Sequence, residues 1–320
     1  MLRGLWVEPD IRDAIVQHLQ AMMMLTGLRL KTVLPWVGIP RSKYYEWCRR
    51  LGSDPVPHGP VPRGHWLLSW EREAIIAFAK EHPAEGYRRL TYMMLDADIV
   101  AVSPSSTYRV LRDVGLLQRW NTVKSPAKAG GFEQPLRVHE HWHTDIKYVN
   151  FRGTFLFLIS VFDGFSRMIL HHELRTSMQE YDVEITLQRA LEKYPDARPR
   201  LISDNGKQFI ARDFGDYLRQ TGLQHVRTSI GYPQSNGKIE RYHRTITQEC
   251  LRRTSFIDLD DARRQIARYV ESYNTKRLHS AVYYLTPQEV FEGRMSERLE
   301  QREAKLARAA EQRRAYHRAA

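Results

Sequence analysis

Leu201-Ile-Ser-Asp204-Asn-Gly206-Lys-Gln-Phe209 is a short apolar run that ends on a carboxylate and breaks at Asn-Gly. Such a pattern lets a buried strand hand an acid to a loop. Downstream, Gly231-Tyr-Pro-Gln-Ser-Asn-Gly237-Lys-Ile-Glu240 has a loop composition that runs into a helical pattern, with Glu240 in the first turns. Thirty-five residues separate Asp204 from Glu240. Upstream, His143-Thr-Asp145-Ile-Lys-Tyr-Val149 alternates polar and apolar residues and reads as a strand carrying a third acid. Two acids at strand positions and one on a helix form an all-oxygen set of the kind divalent cations prefer.

The D…D-35-E order, with S-D-N-G around the second acid and P-Q-S-N-G-x-x-E around the third, resembles the catalytic core of retroviral integrases and bacterial insertion-sequence (DDE) transposases. The resemblance covers roughly residues 138–292. It implies an RNase H-like fold in which Asp145, Asp204 and Glu240 are catalytic and hold two Mg2+ ions, with Mn2+ as a substitute. Asp145 would bridge both ions, and Asp204 and Glu240 would each complete one. The implied reaction has two steps at one site: water frees a 3′-OH, which then attacks a second phosphodiester. Double-stranded DNA (element ends and target) is the implied partner, with a homo-oligomer in the synaptic complex.

Each acid also has a plainer reading. Asp145 would be a surface strand residue, Asp204 an Asx-turn former before Asn205, and Glu240 one end of an i,i+4 pair with Arg244. All three coinciding with this spacing and context is the less economical account. Asp163, in an Asp-Gly pair, reads as a turn residue. Two other functions compete with transposition: a sequence-specific DNA-binding factor with a degenerate core, and an RNase H-type nuclease. Three intact acids argue against the first, and the helical units outside the core are superfluous to the second.

At 320 residues the chain is long enough for two or three domains, and its net charge of +12 favours a polyanionic partner. Residues 1–137 carry 19 Lys+Arg against 13 Asp+Glu and residues 294–320 carry 8 against 4, so the flanks are the basic parts. Two cysteines, Cys48 and Cys250, exclude a disulfide framework or a Cys-pair zinc module. Alternation puts His139, His141 and His143 on one strand face, in a structural or DNA-facing role rather than as zinc ligands. The longest apolar run, 155–162, is too short to span a bilayer. With no signal-like opening segment, the expected location is the bacterial cytoplasm, at the nucleoid, with no membrane partner.

Residues 1–51 read as a helix-turn-helix unit, with Arg41, Lys43 and Tyr44 at the start of its second helix, where DNA is contacted. A plain helical hairpin fits the same pattern. Residues 52–65, rich in Pro and Gly, are a linker. Residues 66–118 form a second helical DNA-binding unit. Its last helix opens on Ser103-Pro104 and offers Ser105, Ser106 and Arg109 to DNA, while Tyr108, Val110 and Leu111 pack inward. A connector, 119–137, leads to the α/β core, 138–292.

The core reads as strands 142–150, 154–162 and 168–174, helix 179–193, strand 200–203, helix 209–221, strand 224–227 and the Glu240 helix, a mixed α/β order. Asn236, Lys238 and Arg244 are the expected DNA contacts beside the acids, and Ile239, Tyr242 and Ile246 the core face of that helix. Residues 273–280 and 286–291 resemble the closing signature of the same transposases. Residues 293–320 form a basic helical tail without a strong apolar stripe, either a solvated extension or an arm that follows DNA.

Overall fold

A computed structural model describes residues 7–52, 66–117, 134–227 and 236–319. The expected linker 52–65 and connector 119–137 lie largely outside the described residues, as do residues 231–235 of the loop before Glu240. The chain divides into two compact units, Met1–Pro62 and Arg63–Ala320.

In the first unit, α1 (Pro9–Thr26), α2 (Leu30–Val37) and α3 (Arg41–Arg49) follow one another through left-handed turns at Gly27 and Gly38. Val16, Leu19, Val33, Leu34, Ile39 and Trp47 form its core. Tyr44 belongs to that core at 5% exposure. Its spacing of three from Trp47 puts both rings on the inward face of α3, so Tyr44 is a packing residue and not a DNA contact.

The second unit opens with α4 (Ser69–Glu81), α5 (Tyr87–Asp96) and α6 (Pro104–Asp113). The Ser103 hydroxyl caps α6 by accepting from the Ser106 N–H at 3.2 Å. The Ser106 hydroxyl turns back to Ser103 Oγ at 3.1 Å and is 4% exposed. Ser106 therefore completes the cap and cannot meet DNA. Val110 and Leu111 are buried as expected, but Tyr108 is exposed and rests edge-on against Tyr87. It lies one residue off the inward stripe of Thr107, Val110 and Leu111.

The core that follows is a five-stranded sheet in the order β3-β2-β1-β4-β5. β1 (His141–Phe151), β2 (Thr154–Asp163) and β3 (Ile169–Arg175) form an antiparallel meander. Arg152 and Gly153, both at positive φ (49° and 84°), make the two-residue turn between β1 and β2 that matches strand twist. β4 (Arg200–Ser203) runs parallel to β1, and β5 (Gln224–Arg227) parallel to β4. This is the RNase H-like mixed sheet, within 1–2 residues of the expected strand bounds.

Each face of the sheet is covered. On one, α7 (Glu180–Lys193) and α9 (Arg212–Thr221) pack Val183, Leu187, Phe214 and Leu218 on Trp142, Val161 and Leu201. The helix expected over 209–221 breaks at Ala211 (ψ 144°), which separates α9 from a single turn, α8 (Lys207–Ile210). On the other face, α10 (Gly237–Ile246) and α11 (Leu259–Thr275) pack Ile239, Tyr242, Ile246 and Ile266 on Leu156, Leu158 and Phe162. Each fully buried aliphatic contributes roughly 1.5–3 kcal/mol. No described helix is long and apolar enough to cross a membrane.

The chain closes with α12 (Pro287–Phe291) and α13 (Met295–Ala319). α13 is neither solvated all round nor free for DNA along its length. Arg302 binds Asp96 through two hydrogen bonds (2.8 and 2.6 Å), Lys305 pairs with Asp98 at 2.7 Å, and Arg313 makes a fully buried pair with Glu71. Arg302, Lys305 and Arg313 share one helical stripe, which lies along α4 and α5. Apolar periodicity cannot show this stripe because its contacts are ionic.

Candidate active site

β1 and β4 pair with His143 opposite Ile202. Two residues further along each strand come Asp145 and Asp204, side by side where the pairing ends and on the same face as His143. That face is covered by α10, whose first turn carries Glu240. Residues on three elements far apart in sequence are thus brought to one end of one sheet face.

Asp145 is held from two sides. Its Oδ1 accepts the Ile146 N–H at 2.8 Å, and Oδ2 lies 3.4 Å from Nδ1 of His243 on α10. The Asp204 Oδ1 accepts the Gly206 N–H at 2.9 Å. Burial pushes the Asp204 carboxyl up from its ordinary value, and the negative charge of Asp145 pushes it further. The two carboxylates therefore feel each other. Glu240 is exposed and lines a cavity of ≈ 450 Å³ with Lys147, His243, Arg244, Thr247 and Arg252. Among the described residues no three acids or other ligating groups stand close enough to hold one ion. A divalent cation nonetheless fits Asp145 and Asp204: the donors are hard carboxylate oxygens, and a cation between them offsets their repulsion. Glu240 reaches the same ion only by movement of its side chain or of α10.

The second layer is a polar nest under α10. Asp163 is saturated: Oδ1 accepts from the Ser166 N–H and hydroxyl (both 2.7 Å) and the Phe165 N–H, and Oδ2 accepts the His139 N–H at 2.9 Å. It is the turn residue its Asp-Gly context suggested. Gly164 is required beside it, because a Cβ there would stand 2.9 Å from His143 Nε2. Burial, and then the nearby positive charges of Lys238 and Arg167, keep the His143 imidazole well below its ordinary value and therefore neutral. His139 is not on the strand with His141 and His143; it sits in the preceding turn at φ 61°. At β4, Ser203 Oγ lies 2.9 Å from His225 Nε2 and donates to the Asp204 carbonyl at 3.0 Å, fixing the backbone that carries Asp204.

Of the expected DNA contacts, Ser105, Arg109, Arg41 and Arg244 are exposed. The Arg41 guanidinium rests over Tyr45 and the Lys43 ammonium over Trp47 (5.6 and 5.3 Å). Asn236 is buried at the head of α10. Lys238 points into the fold, its Nζ donating to the Gly164 carbonyl at 3.0 Å, and burial lowers the ammonium to about 7. Neither is an open surface contact: Asn236 is buried and Lys238 is spent on the Gly164 carbonyl. His243, which sequence reading missed, was signalled by its place three residues after Glu240, on the same helical face.

Residues 135–233 and 221–287 each match an integrase core domain family model. The chain is 31% identical over 152 residues to the transposase for insertion sequence element IS904 of Lactococcus lactis, covering 46% of this chain and 59% of that protein. It is 28% identical over 279 residues to the InsK protein of insertion sequence element IS150 of Escherichia coli, covering 83% of this chain and 96% of that one. Over residues 135–287 the chain is thus similar to integrase core domains, and along most of its length to an insertion-sequence protein. Among solved structures, a chain of the simian T-cell lymphotropic virus intasome is similar at 16% identity and a TM-score of 0.45, over 68% of this chain and 74% of that one.

Proposed function

We propose that this protein binds the ends of its own insertion element, hydrolyses DNA there to expose a 3′-OH, and joins that end to target DNA. The observation that carries the proposal is the placing of Asp145 and Asp204 side by side at the ends of adjacent parallel strands, under the helix that bears Glu240. In this reading all three are catalytic carboxylates and the ligands of two Mg2+ ions. Bound there, the ions would activate the attacking oxygen and stabilise the leaving one.

The chain's own residues do the rest. His243 and the Ile146 amide hold the Asp145 carboxylate in one orientation, and the Ser203–His225 contact fixes the backbone of Asp204. Lys147, Arg244 and Arg252, around the cavity beside Glu240, keep a phosphodiester in place. In the first step water attacks phosphorus and the 3′-oxygen leaves with a proton. In the second, that 3′-OH attacks a target phosphodiester and a new 3′-oxygen leaves. Sequence recognition falls to the helical units 1–51 and 66–118 through Arg41, Lys43, Ser105 and Arg109, and two element ends call for at least two copies of the chain. The setting is the bacterial nucleoid.

The test is to incubate the protein with a labelled element end and a plasmid, with and without Mg2+. Mg2+-dependent appearance of label in the plasmid supports the proposal. Cutting without joining would make the protein a nuclease, and a mobility shift without either would make it a binding factor with an inactive core.

A further inference from the structure

β1 outruns its parallel neighbour. It pairs with β4 only over His141–His143 but with β2 as far as Phe151. Among the described residues, the other edge of β1 is therefore open from Thr144 on. Ile146, Lys147 and Tyr148 of this stretch line the cavity beside Glu240. β1 turns the backbone groups of its even-numbered residues to that edge: the Glu140 carbonyl accepts the Arg200 N–H at 2.9 Å, whereas the His141 carbonyl accepts the Gly164 N–H on the β2 side at 2.8 Å. By the same alternation the Tyr148 N–H faces the open edge.

The Tyr148 side chain heads an aromatic group that the fold leaves in the open. Its ring meets those of Phe155 and Phe157 on β2 edge-on, with centres 5.8 and 5.2 Å away, and its hydroxyl donates to Met178 Sδ at 3.1 Å. Tyr148 is 49% and Phe155 51% exposed. Alternation puts these rings on the α7 face of the sheet with Ile146, and Asp145 on the α10 face with His143. The rim is cationic. Arg152, in the β1–β2 turn, lies 5.6 Å over the Phe151 ring, and Lys147, Arg244 and Arg252 line the adjoining cavity. Arg175, opposite Phe157 in the β2–β3 ladder, binds Glu173 and Asp182 (2.7 and 3.1 Å), so the charges of those acids are offset.

We propose that Tyr148, Phe155 and Phe157 form a stacking platform for unpaired nucleotides of the DNA strand that leaves the catalytic cavity. The proposal rests on the transposase reading and adds to it a place for the single strand at the cut element end. Tyr148 follows Asp145 by three residues, about 10 Å along the strand, and lines the cavity itself, so platform and site are continuous. The carboxylates and the rings lie on opposite faces of the sheet. A stiff duplex seated at the carboxylates cannot bend round one strand edge, whereas an unpaired strand can. Its bases meet the rings, which accept any base because each has a π-face, and its phosphates meet Lys147, Arg252 and the Tyr148 N–H at the edge. A second copy of the chain docked on the same patch by two-fold symmetry would set one cationic rim against another.

The test is binding by the full-length protein, without Mg2+, to fluorescein-labelled oligo(dT), to an abasic strand of the same length and to a paired duplex. Tyr148→Ala and Phe155→Ala should each weaken oligo(dT) binding by about 5–150-fold relative to the duplex, the worth of stacking one base. The salt slope should not change, because the rings carry no charge. Tyr148→Trp should keep the wild-type affinity, and the abasic strand should be bound weakly and equally by all. Phe155 is exposed, so its variant carries the test even if Tyr148→Ala fails to fold. Oligo(dT) affinity unchanged in both alanine variants, or equal binding of oligo(dT) and the abasic strand by the wild type, overturns the platform and leaves the transposase reading standing. Variants that break up an oligomer in sedimentation while keeping the strand affinity would assign the patch to a second copy and overturn the proposal. The transposase reading is tested separately by Mg2+-dependent joining; a wild type that fails to join overturns that reading, and with it the element end as the occupant.

Discussion

His243 Nδ1 stands 3.4 Å from Asp145 Oδ2 and links the helix that bears Glu240 to the strand that bears Asp145. The other oxygen of Asp145 is held by the Ile146 amide, so His243 is what limits rotation of the free edge. Replacing His243 by Ala should slow strand joining by about 2–13-fold, the worth of roughly 0.5–1.5 kcal/mol for one net polar contact, and raise the Mg2+ concentration needed. His243→Asn, which returns an amide N–H near the position of Nδ1, should recover most of the rate. Equal joining by the wild type and His243→Ala would remove this link from the account.

Asp204 carries a stability penalty at neutral pH. Its folded pKa is raised by burial and by Asp145, so folding favours the protonated form. That contribution is fully present below the unfolded pKa and is lost as pH rises through the folded one. Asp204→Asn should therefore melt higher than the wild type at neutral pH, and the gap should close toward pH values below the ordinary Asp range. Mg2+ should stabilise the wild type and not the variant. A variant that melts lower than the wild type at pH 7 would show that the carboxylate is not under strain.

The Arg313–Glu71 pair is buried on both sides, at 5% and 4% exposure. Arg313→Ala leaves Glu71 as an uncompensated buried charge and should cost about 3–5 kcal/mol, while the double variant Arg313→Leu/Glu71→Leu should recover much of it. Deleting 293–320 should lower the melting temperature and release α4 and α5 to proteolysis with little change in the salt slope of DNA binding. A deletion that lowers the slope and spares the melting temperature would restore the tail as a DNA-binding arm.

Ser106 and Arg109 lie on the same helix and should separate cleanly. Arg109 is exposed and Ser106 completes the cap of α6. Arg109→Ala should cost roughly 1–3 kcal/mol of discrimination between cognate and scrambled ends. Ser106→Ala should lower stability and leave that preference intact. Competition binding with both duplexes decides it, and a preference lost in Ser106→Ala alone would reverse the assignment.

The strands and the places of the three acids, two at strand ends and one in the first turn of a helix, were legible in the sequence because they depend on local signals: alternation for β1, a short apolar run for β4, and the loop breaks at Asn205-Gly206 and before Gly237. What escaped was set by packing and pairing that residue type alone does not show. Tyr44 and Ser106 are polar-tipped residues at helix starts, and only their neighbours Trp47 and Ser103 show that they turn inward. The face of α13 was invisible because its partners, Glu71, Asp96 and Asp98, lie about 200 residues away and bind by charge. The break at Ala211 and the inward turn of Lys238 likewise follow from packing on the sheet.

The most direct test of the central claim is strand joining by Asp145→Asn, Asp204→Asn and Glu240→Gln, starting from a pre-cut end that already carries a 3′-OH. Each variant should bind the end as the wild type does and give no joined product in Mg2+. Joining at the wild-type rate by any one of the three would show that its carboxylate does not take part and would contradict the site described here.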